Sequence, residues 1–466
     1  MKQAARQSKL IVFFLLLTAM TFAQDRHAFS IKQAVDYAMK NSRQVQNALI
    51  AIQLQQQQNK EITARALPTI SGNIDVNYFP KVPVQSFPNF ISMATYGVLE
   101  EEGVKDGSGN PIVAPSDFGF IQAQFGTKFT GSAGLNLSQL LFDGQVFIGL
   151  QARKAAIDLA TAGSEVAKEQ IKANIYKIYY QLVIGRQQLT TLDANITRAE
   201  KLLSDTREIF KNGFAERLDV NKAEVTLTNL KTEKIRMENQ IQAGTMGLKL
   251  LMGMPAKEEL MLTDSLTDSE LRDNIVQDSY TYEGRKEFSQ ILIAKKLSEY
   301  DVRRYKLSKL PTVALLGSYS KNAQRNRFDF FDFSKEWFST ALIGLKVSVP
   351  IFEGFAKNAR IEQARLRLKQ TENNIENLKL QIDNEVEVSR INMSSALVSI
   401  DFQKRNLELA EEVYNQTKKK YEQGLGSNIE ITNAQTELKT AQNNYYSSLY
   451  DAIIAKIDYL KATGKL

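Results

Sequence analysis

The chain has 466 residues, a formal net charge of +7, no cysteine and a single histidine, His27. The lack of cysteine excludes disulfides, thiol nucleophiles, iron–sulfur clusters and cysteine-rich zinc sites. With one histidine we expect no transition-metal site, no catalytic triad and no cofactor, so the composition points away from most enzymes.

The first 23 residues have the features of a secretory signal peptide. Lys2, Arg6 and Lys9 form a basic start, residues 10–19 are mostly apolar, and Ala23 suits cleavage. A short membrane anchor is the alternative, although the apolar stretch is shorter than a spanning helix requires. Cleavage removes three of the 59 basic residues, against 52 acidic ones, so the mature charge is small and no nucleic-acid partner is expected. His27 is expected to be exposed near the new N-terminus.

The sequence repeats itself once. Three short motifs occur in both halves: Phe142-Asp-Gly144 and Phe352-Glu-Gly354, Gly213 and Gly424, and Leu67-Pro-Thr69 and Leu310-Pro-Thr312. The first two pairs lie 210 and 211 residues apart and the third lies 243 apart. The first half therefore contains about 33 extra residues, which we place between Phe79 and Phe118 in a long loop.

Two repeats, 24–253 and 285–466, are predicted on either side of a connector at 254–284. Each repeat should contain a helix, two strands, a long helix, a turn and a second helix. In the first repeat the strands are predicted at about 67–79 and 125–142, and the last two helices at 144–212 and 218–251. In the second repeat the strands are predicted at about 310–320 and 338–352, and the last two helices at 355–422 and 428–461.

The first predicted strand alternates strictly between two faces. Ile70, Gly72, Ile74, Val76 and Tyr78 share one face, and Ser71, Asn73, Asp75 and Asn77 share the other. Such segments are typical of a membrane β-barrel with lipid outside and water inside, although a soluble hairpin packed on a core is the alternative. Four strands per chain are too few, since a closed barrel needs about eight, so several copies should share one barrel.

The long predicted helices have a coiled-coil pattern. From Ile171 to Leu203, apolar residues recur at alternating spacings of four and three, with Gly185 the one weak position. Most of this seam returns 211 residues later, from Ile382 to Tyr414. A helix over 144–212 is on the order of 100 Å long. A simple antiparallel coiled-coil spacer is the alternative.

This order of elements, with its signal peptide, direct repeat and two glycine turns, resembles the TolC family of outer-membrane efflux and secretion channels. The resemblance implies a mainly α chain with a membrane β-barrel: a homotrimer whose shared twelve-stranded barrel in the cell outer membrane continues into a long α-helical barrel in the periplasm. It implies a non-enzymatic exit duct for small molecules, surrounded by outer-membrane lipid. The implied partners are a periplasmic adaptor (membrane fusion) protein and an inner-membrane pump. A type I secretion conduit for polypeptides and a non-transporting trimeric coiled-coil surface protein remain alternatives.

The resemblance also implies roles for residues at two hairpin tips. A periplasmic gate or constriction is implied for Asp219, Tyr421, Glu430 and Asn433. Adaptor docking is implied for Gly213, Phe214, Gly424 and Leu425. The family pairs two acidic residues in its ring, whereas here the second position is Asn433. Ser427-Asn-Ile-Glu430 also fits a capping box, so Glu430 has two candidate roles, and both glycines also fit left-handed helix stops.

An aromatic cluster lies between the last two predicted strands. Its members are Phe328, Phe330, Phe331, Phe333, Trp337 and Phe338. Aromatic residues gather at the interfaces of membrane barrels, so we expect a girdle at the barrel rim. A ligand-binding role is the alternative.

Overall fold

A computed structural model describes residues 26–265, 271–272 and 280–466. The predicted signal peptide, 1–23, and parts of the predicted connector lie outside the described residues. In the part that is described, no helix combines the length and the apolar character needed to cross a bilayer. The chain divides into a strand-rich unit, formed by 59–151 and 303–361, and a helical unit formed by the described parts of 1–58, 152–302 and 362–466.

The elements follow one another along the chain with these bounds. They are β1 (Arg26–Phe29), α1 (Ile31–Asn41), α2 (Arg43–Ala64), β2 (Thr69–Tyr78), β3 (Val84–Pro88), α3 (Phe90–Glu101), β4 (Phe120–Gln124), β5 (Phe129–Phe142), α4 (Gly144–Lys211), α5 (Arg217–Met252), β6 (Glu259–Leu262), α6 (Lys286–Leu307), β7 (Thr312–Arg325), β8 (Phe338–Ser348), α7 (Ala356–Glu422) and α8 (Asn428–Ala462). A 3₁₀ turn at Tyr282–Gly284 precedes α6.

In the strand-rich unit, a four-stranded antiparallel sheet has the order β2-β5-β7-β8. The register places Asp75 opposite Ser132 and Ser71 opposite Asn136 on one face. Hydrogen bonds connect that face, since the Asn136 side chain donates to Asn73 at 2.9 Å and Asn73 donates to Asp75 at 2.8 Å. The opposite face presents exposed apolar side chains from β2, β5 and β8: Ile70, Ile74, Val76, Leu135, Ile343, Leu345 and Val347. The sheet therefore has the two faces that the alternation predicts.

The expectation of a plain loop between Phe79 and Phe118 is wrong. β3 and β4 pair in antiparallel register, and α3 lies between them. The Asn89 side chain starts this helix by accepting the Ser92 N–H at 3.0 Å. The apolar residues of α3 are spread around the helix, so the sequence lacks the one-sided pattern that identifies a helix, and no residue of α3 is buried. β7 also extends to Arg325, five residues past its predicted end.

The expectation that His27 is an exposed terminal residue is also wrong. His27 lies in β1, which pairs in parallel with β6, and its Nε2 is 3.1 Å from Glu258 Oε2. Its ring centroid is 5.4 Å from that of Phe29. The strand is only four residues long, too short for a sequence pattern to predict, and its partner lies more than 200 residues away.

The predicted coiled-coil seam is buried. Every seam position from Ile171 to Leu203 in α4, and from Ile382 to Tyr414 in α7, is buried or half-buried. The largest apolar cluster adds side chains from α5 and α8, including Leu248 and Ile457. Tyr179 lies in this cluster, donates to Phe29 O at 2.9 Å and accepts the Asp264 N–H at 3.3 Å. Burial raises the pKa of Tyr179 to about 12, so its hydroxyl stays a donor at neutral pH.

α5 and α8 end at glycines where another backbone segment approaches. Gly253 and Gly464 have φ of 75° and 70°, in the left-handed region. A Cβ at Gly253 would lie 2.3 Å from Asn41 O, and one at Gly464 would lie 2.6 Å from Gly284 O. The repeated glycine therefore marks two equivalent packing points, as well as two helix ends.

Candidate functional site at the hairpin tips

α4 and α7 end in the same kind of turn. Gly213 has φ 79° and Gly424 has φ 75°. At the first tip, the Gly213 N–H donates to the carbonyl three residues earlier, and the Phe214 N–H to the carbonyl five residues earlier, both at 3.0 Å. Gly424 and Leu425 repeat these bonds at 3.0 and 2.9 Å. This pair of bonds is the Schellman motif, so both glycines are left-handed helix stops.

The helices after the turns begin with acidic caps. At the second tip, the Glu430 carboxylate accepts the Ser427 N–H at 3.2 Å, and the Ser427 hydroxyl accepts the Glu430 N–H at 3.3 Å. At the first tip, the Asp219 carboxylate accepts the Glu216 N–H at 3.1 Å. Glu430 and Asp219 therefore occupy the same position one turn into their helices, and both satisfy an amide that the helix leaves unpaired.

The other two predicted gate residues have different surroundings. Tyr421 is half-buried, and its hydroxyl lies 3.2 Å from the Thr206 hydroxyl of α4. Asn433 is exposed on α8. Within the described residues of one chain, no hydrogen bond joins Asp219, Tyr421, Glu430 and Asn433 to one another. Their role as a constriction stays a prediction.

The two tips are held together by packing and by one long polar contact. Ile431 and Ala434 of α8 pack in a cluster with Tyr414 of α7, and Leu202 of α4 packs against the same cluster. Val220 and Ala223 of α5 pack with Leu203 of α4 in another. The Asn428 side-chain nitrogen lies 3.5 Å from the Asp219 carbonyl and so connects the starts of α8 and α5. The starts of α5 and α8, which carry Asp219 and Glu430, therefore lie next to each other.

Apolar side chains project at the turns. Phe214 is 86% exposed and Leu425 is 77% exposed, immediately after the two stop glycines. Leu218 and Ile429, at the helix starts, are also exposed. Exposed apolar groups that cluster on a folded chain are typical of surfaces that bind another protein.

A line of polar contacts between α4 and α8 was not predicted from the sequence. From one end to the other it joins Gln170 to Lys461 at 2.6 Å, Lys177 to Asp458 at 2.6 Å, Thr191 to Tyr446 at 2.7 Å and Asn195 to Gln442 at 2.8 Å. The heptad analysis counts only apolar positions, so it does not detect an interface made by side chains outside the seam. The recurring polar residues on α4 were the available signal.

A buried arginine lies at the start of α6. The Arg285 Nη1 donates to Glu385 at 2.9 Å and to the Ala462 carbonyl at 3.1 Å, and its Nε is 3.3 Å from Glu287. Glu169 of α4 is also buried. Burial and the nearby Glu287 raise the pKa of Glu169, whereas Arg285 opposes this shift. These charges connect the end of α8 to α6 and α7, and do not reach the tips.

The part of the chain that the structure describes contains no group of three or more His, Cys, Asp or Glu side chains placed to hold a metal ion. The tips therefore offer hydrogen-bonding and apolar groups, which suit contact with protein or with a solvated passage.

A family model described as "Outer membrane efflux protein" matches residues 124–254 and 283–465. The chain is 20% identical over 305 residues to the "Proteases secretion protein PrtF" of Dickeya chrysanthemi, covering 64% of this chain and 65% of that protein, just under two thirds of its length. It is 19% identical over 348 residues to the "Outer membrane protein TolC" of Escherichia coli (strain K12), covering 72% and 69%.

Solved structures share the fold. The crystal structure of CusC, described with "transmembrane channel formation", superposes with a TM-score of 0.72 at 15% identity. The match covers 93% of this chain and 92% of that chain. The predicted TolC-like fold is confirmed.

Proposed function

Because the chain belongs to the outer membrane efflux protein family, we propose that three copies of it form the exit duct of a tripartite efflux pump. The protein is an outer-membrane exit channel. The duct passively conducts small molecules that an inner-membrane pump and a periplasmic adaptor protein deliver, and no catalytic step takes part. The observation that supports this best is the sheet with one hydrogen-bonded polar face and one exposed apolar face, which suits water on one side and lipid on the other.

The repeat supports packing between copies of the chain. One of the contacts between α4 and α8 is the hydrogen bond between the Thr191 and Tyr446 hydroxyls. The residues 211 positions away are Phe402 on α7 and Ile235 on α5, and they are 69% and 60% exposed. Val388 and Leu250, the counterparts of Lys177 and Lys461 in the same line of contacts, are exposed too. We infer that α7 of one copy packs on α5 of the next copy, in the way that α4 packs on α8 within a chain.

The sheet leads to the same assembly. β2 and β8 are its outer strands, and each has one edge without a partner among the described strands. An unpaired edge in lipid leaves backbone groups unsatisfied, at a cost of several kcal/mol each. Pairing β8 of one copy with β2 of the next removes both edges. Three copies then supply the twelve strands of one barrel, with outer-membrane lipid around it.

The gate is proposed at the tips. Asp219, Tyr421, Glu430 and Asn433 of three copies converge there, and Glu430 supplies a negative field at the mouth while it caps α8. Phe214 and Leu425, with the stop glycines Gly213 and Gly424, form the surface on which the adaptor docks. Opening consists of separating the tips, after which solutes diffuse through the duct.

Single-channel recording in planar bilayers tests the proposal. The purified mature chain should insert as a trimer and give discrete conductance steps. Asp219→Ala should raise the conductance of the closed state, because it removes a contact at the start of α5. Glu408→Ala removes an exposed carboxylate of α7 whose α4 counterpart, Thr197, is also exposed, and it should leave the conductance unchanged. A trimer that inserts and conducts nothing would support the surface-protein alternative and overturn the proposal.

Polypeptide secretion is the second candidate, and the name of the Dickeya relative is what favours it. Expressing the chain in cells that lack their own exit duct tests which of the two cargo classes it exports. Restored resistance to small toxic molecules, without restored secretion of a protease, is the result expected here. The opposite result would assign the chain to secretion.

A further inference from the structure

The loop between β7 and β8, residues 326–337, folds onto the apolar face of the sheet. The Phe330 ring lies over Gly131, where a Cβ would be 2.6 Å from Phe330 Cε1. The ring centroid of Phe328 is 5.9 Å from that of Phe129, which shares the face of Gly131. Ala323, which pairs with Gly131, is only 1% exposed. At this end of the hairpin the apolar face is thus covered by the chain itself.

Ion pairs hold the loop in this position. The Arg325 Nε is 3.4 Å from Asp329 Oδ1, and its Nη2 donates to the Glu336 carbonyl at 2.6 Å. Lys335 pairs with the other oxygen of Asp329. Hydrogen bonds from Ser334 lower the pKa of Asp332, so this carboxylate stays ionised within the loop. The acidic groups Asp329 and Asp332 therefore already have partners.

Lys321 lies in the next row of the same face, beyond the cover of the loop. It pairs with Ala133 on β5 and Ser339 on β8, and it is exposed. Among the described residues, its ammonium has no hydrogen-bond or ion-pair partner. Arg327, in the loop, is also exposed. The apolar face thus ends in an unpaired cation where the loop begins to cover it.

We propose that this corner, Lys321 and Arg327 with Phe328 and Phe331, binds the phosphate-bearing headgroup of a lipid in the outer leaflet. The inference rests on the proposed function, which places this face in lipid and the helical tips toward the periplasmic adaptor. The loop joins the ends of β7 and β8 that are opposite their connections to α6 and α7, so it belongs at the external surface. A lysine on the lipid face is costly at the midplane and nearly free at the interface, so Lys321 marks the headgroup level. There the ammonium finds the lipid phosphate as its counterion.

The aromatic residues supply the apolar half of the site. Phe331 is 78% exposed, and its ring centroid is 6.0 Å from that of Phe328, which connects it to Phe129 on the sheet. Aromatic rings are enriched at this depth of membrane barrels, because they combine apolar area with tolerance of a polar surface. The acyl chains of the bound lipid then run along the apolar face below Lys321.

The chain's one tryptophan reports on the site. Trp337 lies in the same loop, with its ring centroid 5.9 Å from that of Phe330. The detergent-solubilised trimer is titrated with diphosphorylated lipid A, with its dephosphorylated form and with inorganic phosphate, while Trp337 fluorescence is followed. Only the phosphorylated lipid should give a saturable change. Lys321→Gln should weaken its binding about 5-fold, and the double change with Arg327→Gln about 25-fold.

Lys346→Gln is the matched control. Lys346 is also an exposed strand lysine, but it pairs with Ala314 on the polar face. It should leave lipid binding unchanged. Equal binding by wild type and Lys321→Gln, equal loss in Lys346→Gln, or an equal response to inorganic phosphate or the dephosphorylated lipid would each overturn the site. Conductance of the wild-type trimer, measured in parallel, tests the proposed function separately, and Lys321→Gln should not change it.

Discussion

α4 and α7 are repeat copies of one long helix, yet they differ in what covers them within a chain. Both bury the same heptad seam. The face of α4 that includes Thr191 is covered by α8. The corresponding face of α7 is an exposed apolar stripe, made up of Leu380, Val388, Ile391, Val398, Phe402, Leu409 and Val413. The stripe has polar counterparts at Lys177, Gln187, Thr191 and Arg198 in α4.

This difference separates two kinds of interface that one repeat can build. The contact inside the chain forms as the chain folds, so polar pairs that fix its geometry are sufficient. A contact between copies also has to offset the loss of translational and rotational freedom on association, and burial of apolar area is the main term that does so. An exposed apolar stripe on α7 is therefore what we expect for the surface that packs against the next copy.

The largest effect is expected from a charge in the stripe. Phe402→Glu would place a carboxylate against Ile235 of the next copy, and an unpaired buried charge is far more costly than a lost contact. We expect the trimer to be lost, as measured by light scattering of the detergent-solubilised protein. Asn415→Glu introduces the same charge at an exposed position of α7 whose α4 counterpart, Ser204, stays exposed, and it should assemble normally. If Phe402→Glu also forms trimers, the α4–α8 contact is no guide to the interface between copies.

In the proposed assembly, the apolar face of the sheet is covered by lipid and not by protein. Val76→Arg should destabilise the inserted form by about 2–4 kcal/mol if the residue lies near the midplane. Asn73→Arg, on the hydrogen-bonded face of the same strand, should be tolerated because it faces water. Urea unfolding from lipid vesicles measures both. Equal losses of stability would show that the two faces are wrongly assigned.

The tips allow the halves to be compared at equivalent positions. Loss of a cap costs about 0.5–2 kcal/mol, so Asp219→Ala and Glu430→Ala should each lower stability by a similar amount.

Glu430→Gln should keep most of the cap, since Gln also serves in a capping box, while lowering the cation preference of the channel and its block by multivalent cations. Thermal unfolding and reversal potentials under a salt gradient measure the two effects. If Glu430→Gln leaves ion selectivity unchanged while Glu430→Ala lowers stability, Glu430 is a cap alone.

The smallest effect is expected at a position that is acidic and buried in one repeat but apolar and exposed in the other. Glu169 is buried in α4, whereas its counterpart Leu380 is exposed in α7. Because burial raises the pKa of Glu169 above its ordinary 4.5, its contribution to stability falls as pH rises through that raised pKa. Glu169→Gln should therefore raise the melting temperature at pH 7, on the order of 1 °C, and less at pH 4. Glu165→Gln, at a half-buried neighbour that pairs with Lys168 at 2.8 Å, should not raise the melting temperature. A gain for Glu169→Gln that is equal at both pH values contradicts the assignment.

The sequence was most informative where a pattern repeats over many residues. The seam of α4 and α7 could be predicted because most of its positions are apolar for the same reason, and the glycine turns because glycine adopts a positive φ at the least cost. For the candidate site, the capping box at Ser427 and Glu430 was readable from local spacing. The Thr206 contact of Tyr421 was not, since it joins residues 215 positions apart.

By itself, the sequence determined the repeat, the two faces of the first hairpin, the seam and the stop glycines, because each depends on local periodicity or backbone geometry. Only the tertiary structure decided that β1 pairs with β6, that α3 interrupts the long loop, and that the loop after β7 folds back over Gly131. It also decided which face of each long helix is covered. These outcomes depend on contacts between residues far apart in the chain, and they are set by which surfaces meet in the folded chain and not by the order of residues within any one segment.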